Sequence, residues 1–293
     1  MSPTEAQAYC ISATKKSGSN FYYSFLFLPR QRRNAMYTVY TFCREVDSAV
    51  DEALPGTDPR VELSQWRKEV SAAYHGIPTS PVTISLAAHL PWLDIPEEYF
   101  QELITGVEMD LTTTRYPTFQ DLYPYCYRVA SVVGLICLKI FGTQAPQARE
   151  YAIHLGLAFQ LTNILRDISS DADRNRIYLP LEDMARFGYT EKDLLEKRYT
   201  PEFIELMKYE CARAREFYLK AKQVFESLPR TDQRALVVAE IMHGVYARIL
   251  EQIEARSYRV FGPRIRLSPL LRLGIAANIW FRSSSQGIQA PQR

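Results

Sequence analysis

Gln160-Leu161-Thr162-Asn163-Ile164-Leu165-Arg166-Asp167-Ile168-Ser169-Ser170-Asp171 is the stretch on which the fold turns. Asp167 and Asp171 stand four apart, so on a helix their carboxylates share one face, one turn apart. Gly156, Gln160, Asn163 and Asp167 form one polar stripe, flanked by Leu155, Leu157, Phe159, Leu161, Ile164 and Leu165. A polar stripe on an otherwise apolar helix is costly to bury unless its groups are paired or coordinate a metal. The competing reading is an internal polar network that only locks helices together.

A second pair lies upstream, in Cys43-Arg44-Glu45-Val46-Asp47-Ser48-Ala49-Val50-Asp51-Glu52. Asp47 and Asp51 repeat the four-residue spacing, and Tyr40 and Arg44 extend their stripe away from the apolar one through Val39, Val46 and Val50. Alone, such a pair most often marks a solvated helix face. Two pairs, each accompanied by arginine, instead suggest a diphosphate held between two helices. Mg²⁺ would bridge carboxylates to phosphate oxygens, since it prefers oxygen ligands and takes one or two carboxylates plus phosphates. Arg44, Arg166 and Arg174 or Arg176 could add charge-assisted hydrogen bonds. Such a site stabilises charge on a leaving diphosphate. For Arg174 and Arg176, plain surface charge is an equal alternative.

Outward from these motifs the helical period continues. Val39, Phe42, Cys43, Val46 and Val50 form one apolar face, ended by Pro55, Gly56 and Pro59. Helices are predicted over 61–74, 82–90 and 97–109, with a loop from His75 to Pro81 and breaks at Pro91 and Pro96. Further helices are predicted over 119–141 and 146–170, parted by Gly142 and Pro146, and a short one over 181–187, stopped by Gly188. The charged segment 171–180 reads as a loop over a site. Two long helices, 201–227 and 231–260, are split by Leu228-Pro229. No alternating strand pattern appears, so residues 1–293 read as a single all-α domain around a central core.

Composition is that of a globular protein, with 47% hydrophobic and 23% charged residues among 293. The net charge of +2 argues neither for nor against a charged partner, and no basic tract suggests a nucleic-acid footprint. Five widely spaced cysteines, Cys10, Cys43, Cys126, Cys137 and Cys211, fit reduced thiols rather than disulfides or zinc. No GxGxxG follows a strand, so a classical NADPH domain is not expected. No apolar leader is read at the start, and a cytoplasmic protein is expected. Leu267 to Phe281 is interrupted by Arg272 and falls short of the ~20 apolar residues of a spanning helix. It reads as a packed terminal helix, with peripheral contact to a membrane surface as the alternative.

The two aspartate motifs resemble the signatures of squalene and phytoene synthases. Ser24-Phe25-Leu26-Phe27-Leu28-Pro29, Met109-Asp110-Leu111 with Arg115-Tyr116, and Tyr125-Cys126-Tyr127-Arg128-Val129-Ala130-Ser131-Val132-Val133-Gly134 resemble further family segments. The likeness runs from about residue 17 to 262. It implies an all-α isoprenoid synthase helical bundle around a central pocket, joining two allylic diphosphates head to head. It implies that Asp47, Asp51, Asn163, Asp167 and Asp171 bind roughly two or three Mg²⁺ ions. By the same resemblance Tyr40, Arg44, Gln160, Arg166, Arg176 and Tyr246 contact diphosphates, and Ser17-Gly18-Ser19-Asn20 covers the second one. Some relatives carry His or Lys in that last segment, and this chain does not. Tyr125 sits where the family has a tyrosine assisting the cation chemistry, with Arg44 and Arg166 beside the reacting groups; a plain core aromatic is the alternative for Tyr125. Phe21 and Phe25 are further candidates to face a cation. Ser131 replaces a family glycine and reads as packing.

The wording of Arg176-Ile177-Tyr178-Leu179-Pro180-Leu181-Glu182-Asp183 most resembles bacterial presqualene diphosphate synthases of hopanoid pathways, which couple two farnesyl diphosphates without NADPH. Its partners would be prenyl diphosphates and enzymes of the same pathway. The alternatives are a phytoene synthase using two geranylgeranyl diphosphates, and a squalene synthase continuing with NADPH. A non-catalytic assembly factor would have lost aspartates, and both pairs are intact.

Overall fold

The computed structural model describes residues 1–18, 20–53 and 56–285, without the side chains of Asn20, Phe21, Tyr23, Ser284 and Ser285. The chain opens with α1 (Pro3–Lys16), α2 (Asn20–Phe25), α3 (Arg30–Asp51), α4 (Pro59–Tyr74), α5 (Pro81–Leu93) and α6 (Glu97–Met109). Next come α7 (Phe119–Cys126), a π turn (Tyr127–Ser131), α8 (Val132–Phe141) and α9 (Ala148–Asp173). The last elements are α10 (Leu181–Arg186), α11 (Glu191–Leu195), α12 (Pro201–Ser227), α13 (Arg230–Ala235), α14 (Val237–Ala255) and α15 (Pro269–Ser285). Among the described residues the only β pairing is an isolated bridge between Arg115 and Ile177. The fold is the all-α bundle expected from the sequence.

Local chemistry starts and stops these helices. Ser80 and Thr200 accept backbone N–H groups at the starts of α5 and α12, each followed by proline, which has no N–H to lose. Gly142 ends α8 in the left-handed region, and its N–H and that of Thr143 both donate to Leu138.

Four boundaries differ from the sequence expectation. Helix α5 runs through Pro91 to Leu93, because Asp94 closes it in the left-handed conformation and donates to the Leu90 carbonyl. The helix over 119–141 contains the π turn, in which Val132 N–H donates to Tyr127. Helix α9 extends to Asp173, so Asp171 is helical. The helix expected over 231–260 is two: Leu236 leaves helical dihedrals with ψ of 4°, and α14 stops at Ala255 because Ser257 and Tyr258 are left-handed.

Helix α9 runs through the centre, packed on α12, α8, the π turn and α14; α3 faces it, packed on α1, α5, α4, α6 and α8. Gly156 permits the closest approach: a Cβ there would lie 2.5 Å from Ser131 Cα. Ser131 is buried and donates to the Ile153 carbonyl at 2.9 Å, so its role is packing, as expected. Phe119–Phe141 is apolar and long enough to cross a membrane by composition, yet it packs against α6 and α9 in the core.

Candidate active site

A cavity of about 640 Å³ lies between α3, α6, α7, the π turn, α8, α9 and α14. Its mouth is polar. Tyr40, Arg44, Asp47 and Asp51 line it from α3, and Gln160, Asn163, Asp167 and Asp171 from α9. Both stripes read from the sequence therefore face one space. Its far part is apolar, walled by Met36, Cys137, Phe141, Ala152, Leu236 and Ala239. Tyr151 stands at that end, buried, with its hydroxyl donating to Glu240 at 2.7 Å.

Arginines meet one acid of each carboxylate pair. Arg176 donates to Asp51 at 2.8 Å and lies 3.8 Å from Asp110; Arg174 lies 3.2 Å from Asp51. Both arginines sit on the segment after α9, which covers the site as the sequence suggested. Arg115 fixes that segment, donating to the Asn175 carbonyl at 2.6 Å and its side chain at 2.9 Å. Asp167 is gripped twice. Arg166 donates to its two oxygens at 2.8 and 2.5 Å, and Arg264 at 2.8 and 2.6 Å.

The electrostatics divide the acids. Burial would raise the Asp167 carboxyl, but Arg166 and Arg264 outweigh it and hold Asp167 below the usual carboxylate range. Asp47 opens onto the cavity, yet loss of bulk water there, with Asp51 and Asp110 nearby, pushes it up to about 7. Burial and then Asp167 push Asp171 up to about 7. Burial pushes Asp110 up to about 6 against the pull of Arg176 and Tyr178. Crowded carboxylates of this kind call for a cation.

The donor set fits Mg²⁺. Every candidate ligand is a hard oxygen. Asn163 Nδ2 donates to Gln160 at 3.2 Å, which leaves Asn163 Oδ1 buried on the cavity wall with no hydrogen-bond partner. Among the described residues no three His, Cys, Asp or Glu side chains converge to hold a metal alone. Two carboxylates per helix is the number Mg²⁺ accepts when phosphates complete its shell.

Beside the mouth, Tyr125 and Tyr178 both donate to Asp110, at 3.2 and 2.7 Å, with their rings stacked 5.0 Å apart. Burial holds the Tyr125 phenol far above its ordinary value, so it remains a proton donor. Tyr246 is buried, stacked 4.5 Å from Phe159 and hydrogen-bonded with Arg166. Tyr40 donates to Ser17 Oγ at 3.0 Å, tying the Ser17-Gly18 turn to α3, and Gly18 is left-handed. Ser17 and Gly18 do not line the cavity. Ser19 lies outside the described residues, as do the side chains of Asn20 and Phe21, whereas Phe25 lines the cavity. Arg44 borders the cavity while pairing with Glu52 at 2.5 Å.

Three site residues were assigned no role from the sequence: Asp110, Tyr178 and Arg264. Asp110 and Tyr178 lay within recognised segments, so an acid beside an aromatic pair was a usable signal. Arg264 lies between the helix predicted over 231–260 and the terminal one, in a stretch without periodicity.

A profile of the squalene/phytoene synthase family matches residues 14–270. The phytoene synthase of Arthrospira platensis is 37% identical over 276 residues, covering 89% of this chain and 88% of that one. The 15-cis-phytoene synthase of Synechocystis sp. is 36% identical, covering 95% and 86%. Among solved structures, a dehydrosqualene synthase in complex with ligand superposes with a TM-score of 0.84 at 29% identity, covering 97% of this chain and 98% of that one. Squalene synthase HpnC from Alicyclobacillus acidocaldarius superposes with a TM-score of 0.78 at 28% identity, covering 87% and 95%.

Proposed function

The chain belongs to the squalene/phytoene synthase family, and from that premise we propose that it joins two geranylgeranyl diphosphates head to head, as a phytoene synthase. The observation that carries the reading is the pairing of two facing carboxylate stripes with an apolar blind end at Tyr151. The curated relatives named above are phytoene synthases, which favours this C20 alternative over the C15 presqualene diphosphate reading drawn from the motif wording. The stretch of α9 that lines the cavity is long enough for the C20 chain. From Asn163 to Tyr151 the helix rises ~18 Å. The sixteen-carbon backbone of a geranylgeranyl group spans ~19 Å at bond lengths of ~1.5 Å, and the twelve-carbon backbone of a farnesyl group only ~14 Å.

Asp47, Asp51, Asn163, Asp167 and Asp171 would hold Mg²⁺, which when bound neutralises the diphosphate and eases its departure. Arg174, Arg176 and Arg264 supply donors to the phosphate oxygens at the mouth. The C1–O bond of one substrate breaks and diphosphate leaves. The C2–C3 double bond of the second substrate attacks C1, and loss of a proton closes a cyclopropane. Loss of the second diphosphate and a second proton then yields the C40 hydrocarbon, with no hydride and hence no NADPH. Met36, Val133, Leu155 and Phe159 keep water from the cation, and the Tyr125 face lies beside it. The Tyr125–Asp110–Tyr178 group is placed to take up a proton.

Purified protein with Mg²⁺ and geranylgeranyl diphosphate, without NADPH, should release phytoene. Turnover of farnesyl diphosphate to presqualene diphosphate, with C20 substrate untouched, would sink the reading and restore the C15 one. The likeness to the dehydrosqualene synthase structure is the observation that keeps that second reading in play.

A further inference from the structure

A cluster of buried charge lies outside the cavity, behind the segment that covers its mouth. Asp183 on α10 and Glu210 on α12 are both buried. Arg213 Nη1 donates to Asp183 at 2.8 Å and to Glu210 at 2.7 Å, so two carboxyl groups share one guanidinium nitrogen. Fully ionised, they would leave one negative charge buried without a partner, which is costly. A proton held between them removes that charge, and Glu210 is hydrogen-bonded to Asp183 as such sharing requires. The cluster is also linked to the site through the backbone. Asp183 ends the run that starts with Arg174 and Arg176. Along it Ile177 donates to the Thr114 carbonyl at 3.0 Å, and Leu181 and Glu182 donate to those of Tyr116 and Pro117 at 2.9 Å. The Glu182 carboxylate accepts the Phe119 N–H at 2.9 Å. Arg213 meets both edges of this seam: it pairs with Asp183 and lies over the Phe119 ring, 4.6 Å from its centre.

We propose that Arg213, Glu210 and Asp183 are positioning residues: by sharing one proton they clamp α10 to α12 and hold Arg174 and Arg176 over the mouth, and loss of that proton loosens the cover. That the cover meets a diphosphate rests on the function proposed above; the clamp itself does not. Burial, aided by Asp183, outweighs Arg213 and pushes Glu210 up to about 8. Its titratable neighbours besides these are the thiols of Cys126 on α7 and Cys211 on α12, with Tyr209 on α12 3.5 Å from Arg213. Arg186 on α10 lies over the Tyr209 ring, 4.6 Å from its centre. A carboxyl raised in the folded state contributes fully below its ordinary value, and that contribution is lost as pH rises through about 8. The clamp is therefore closed at neutral pH and opens above it.

The test compares wild type with Glu210→Gln, which keeps the shape of the side chain but has no proton to lose. Hydrogen exchange of residues 174–183 is followed by mass spectrometry at pH 7 and pH 9, without substrate. At pH 7 the two proteins should protect this segment equally. At pH 9 the wild type should exchange it about tenfold faster than Glu210→Gln, since a group that titrates at about 8 keeps its proton only about a tenth of the time there. At saturating Mg²⁺, kcat/KM for the diphosphate substrate should fall about tenfold from pH 7 to pH 9 in wild type and less than about twofold in Glu210→Gln. Asp183→Asn, which leaves Arg213 a single carboxylate, should behave like Glu210→Gln. Equal exchange of wild type and Glu210→Gln at pH 9 overturns the clamp, whatever the substrate proves to be. Parallel loss of turnover in the two proteins overturns the positioning role. The expected exchange without turnover of the C20 substrate supports the clamp and overturns only the functional reading.

Discussion

Arg176 Nη1 donates to Asp51 Oδ1 at 2.8 Å, tying the segment after α9 to α3 across the mouth of the cavity. Only 12% of the arginine side chain is exposed, so the ion pair is partly shielded from solvent. The same guanidinium sits 3.8 Å from Asp110. It is therefore the cation shared by the acids that crowd the mouth.

Arg176→Ala should lower kcat by about 10², the scale of losing one preorganised donor to developing charge. Arg176→Lys should recover part of that, since it restores charge but not the planar fork. Steady-state kinetics on geranylgeranyl diphosphate decide the matter. A kcat within about threefold of wild type in the alanine variant would remove Arg176 from the reacting site.

The raised acids give a pH signature. Asp47 and Asp171 at about 7, and Asp110 at about 6, must lose protons to hold a cation. Activity should therefore climb through pH 6–7, and higher Mg²⁺ should move the rise to lower pH. Stability runs the other way without metal. A carboxyl raised in the folded state binds more protons folded than unfolded between its ordinary value and about 7. Its stabilising contribution is complete below the ordinary value and is lost as pH rises through about 7. In EDTA the contribution of these groups to Tm should thus fall from acid to neutral pH, and Asp47→Asn should flatten part of that fall. A Tm that rises over this window by virtue of Asp47 would contradict the assignment.

Arg264 holds Asp167 in the absence of ligand, and it is half exposed. It competes with a cation for the same oxygens, yet it is also placed to meet a diphosphate. Arg264→Ala should therefore act in two directions. Mg²⁺ alone should raise the Tm of the variant more than that of wild type, while KM for the diphosphate should rise about tenfold, the loss of one charge-assisted contact. A Mg²⁺ response no larger than that of wild type, with KM unchanged, would mean that Arg264 only braces Asp167.

What the sequence revealed and what it hid have physical reasons. Asp47/Asp51 and Asp167/Asp171 were legible because four residues make one helical turn, so spacing alone set each pair on one face. The Gly156–Asp167 stripe was legible because its neighbours are apolar. Arg264 was not, because 97 residues separate it from Asp167 and its segment has no period. The break at Leu236 has no glycine or proline to announce it; that residue, fully buried, covers the cavity wall instead.

Chain length is the property most open to redesign, because one end of the cavity is defined by few side chains. Ala239 is buried on α14 and lines the cavity there, beside Glu240, which fixes the Tyr151 ring. Ala239→Phe should fill the blind end and leave the mouth intact. Geranylgeranyl diphosphate should then lose kcat/KM by at least about tenfold relative to farnesyl diphosphate, because overpacking at a closed end costs about 1–3 kcal/mol and applies only to the longer chain. Tyr151→Ala should do the reverse, admitting a C25 substrate, at some cost in stability because Glu240 loses the tyrosine hydroxyl and keeps only His243 nearby. Competition between C15, C20 and C25 diphosphates in one reaction reads both variants. An unchanged C20-to-C15 ratio in Ala239→Phe would mean that the chain does not reach α14, and that substrate length is set elsewhere along the tunnel.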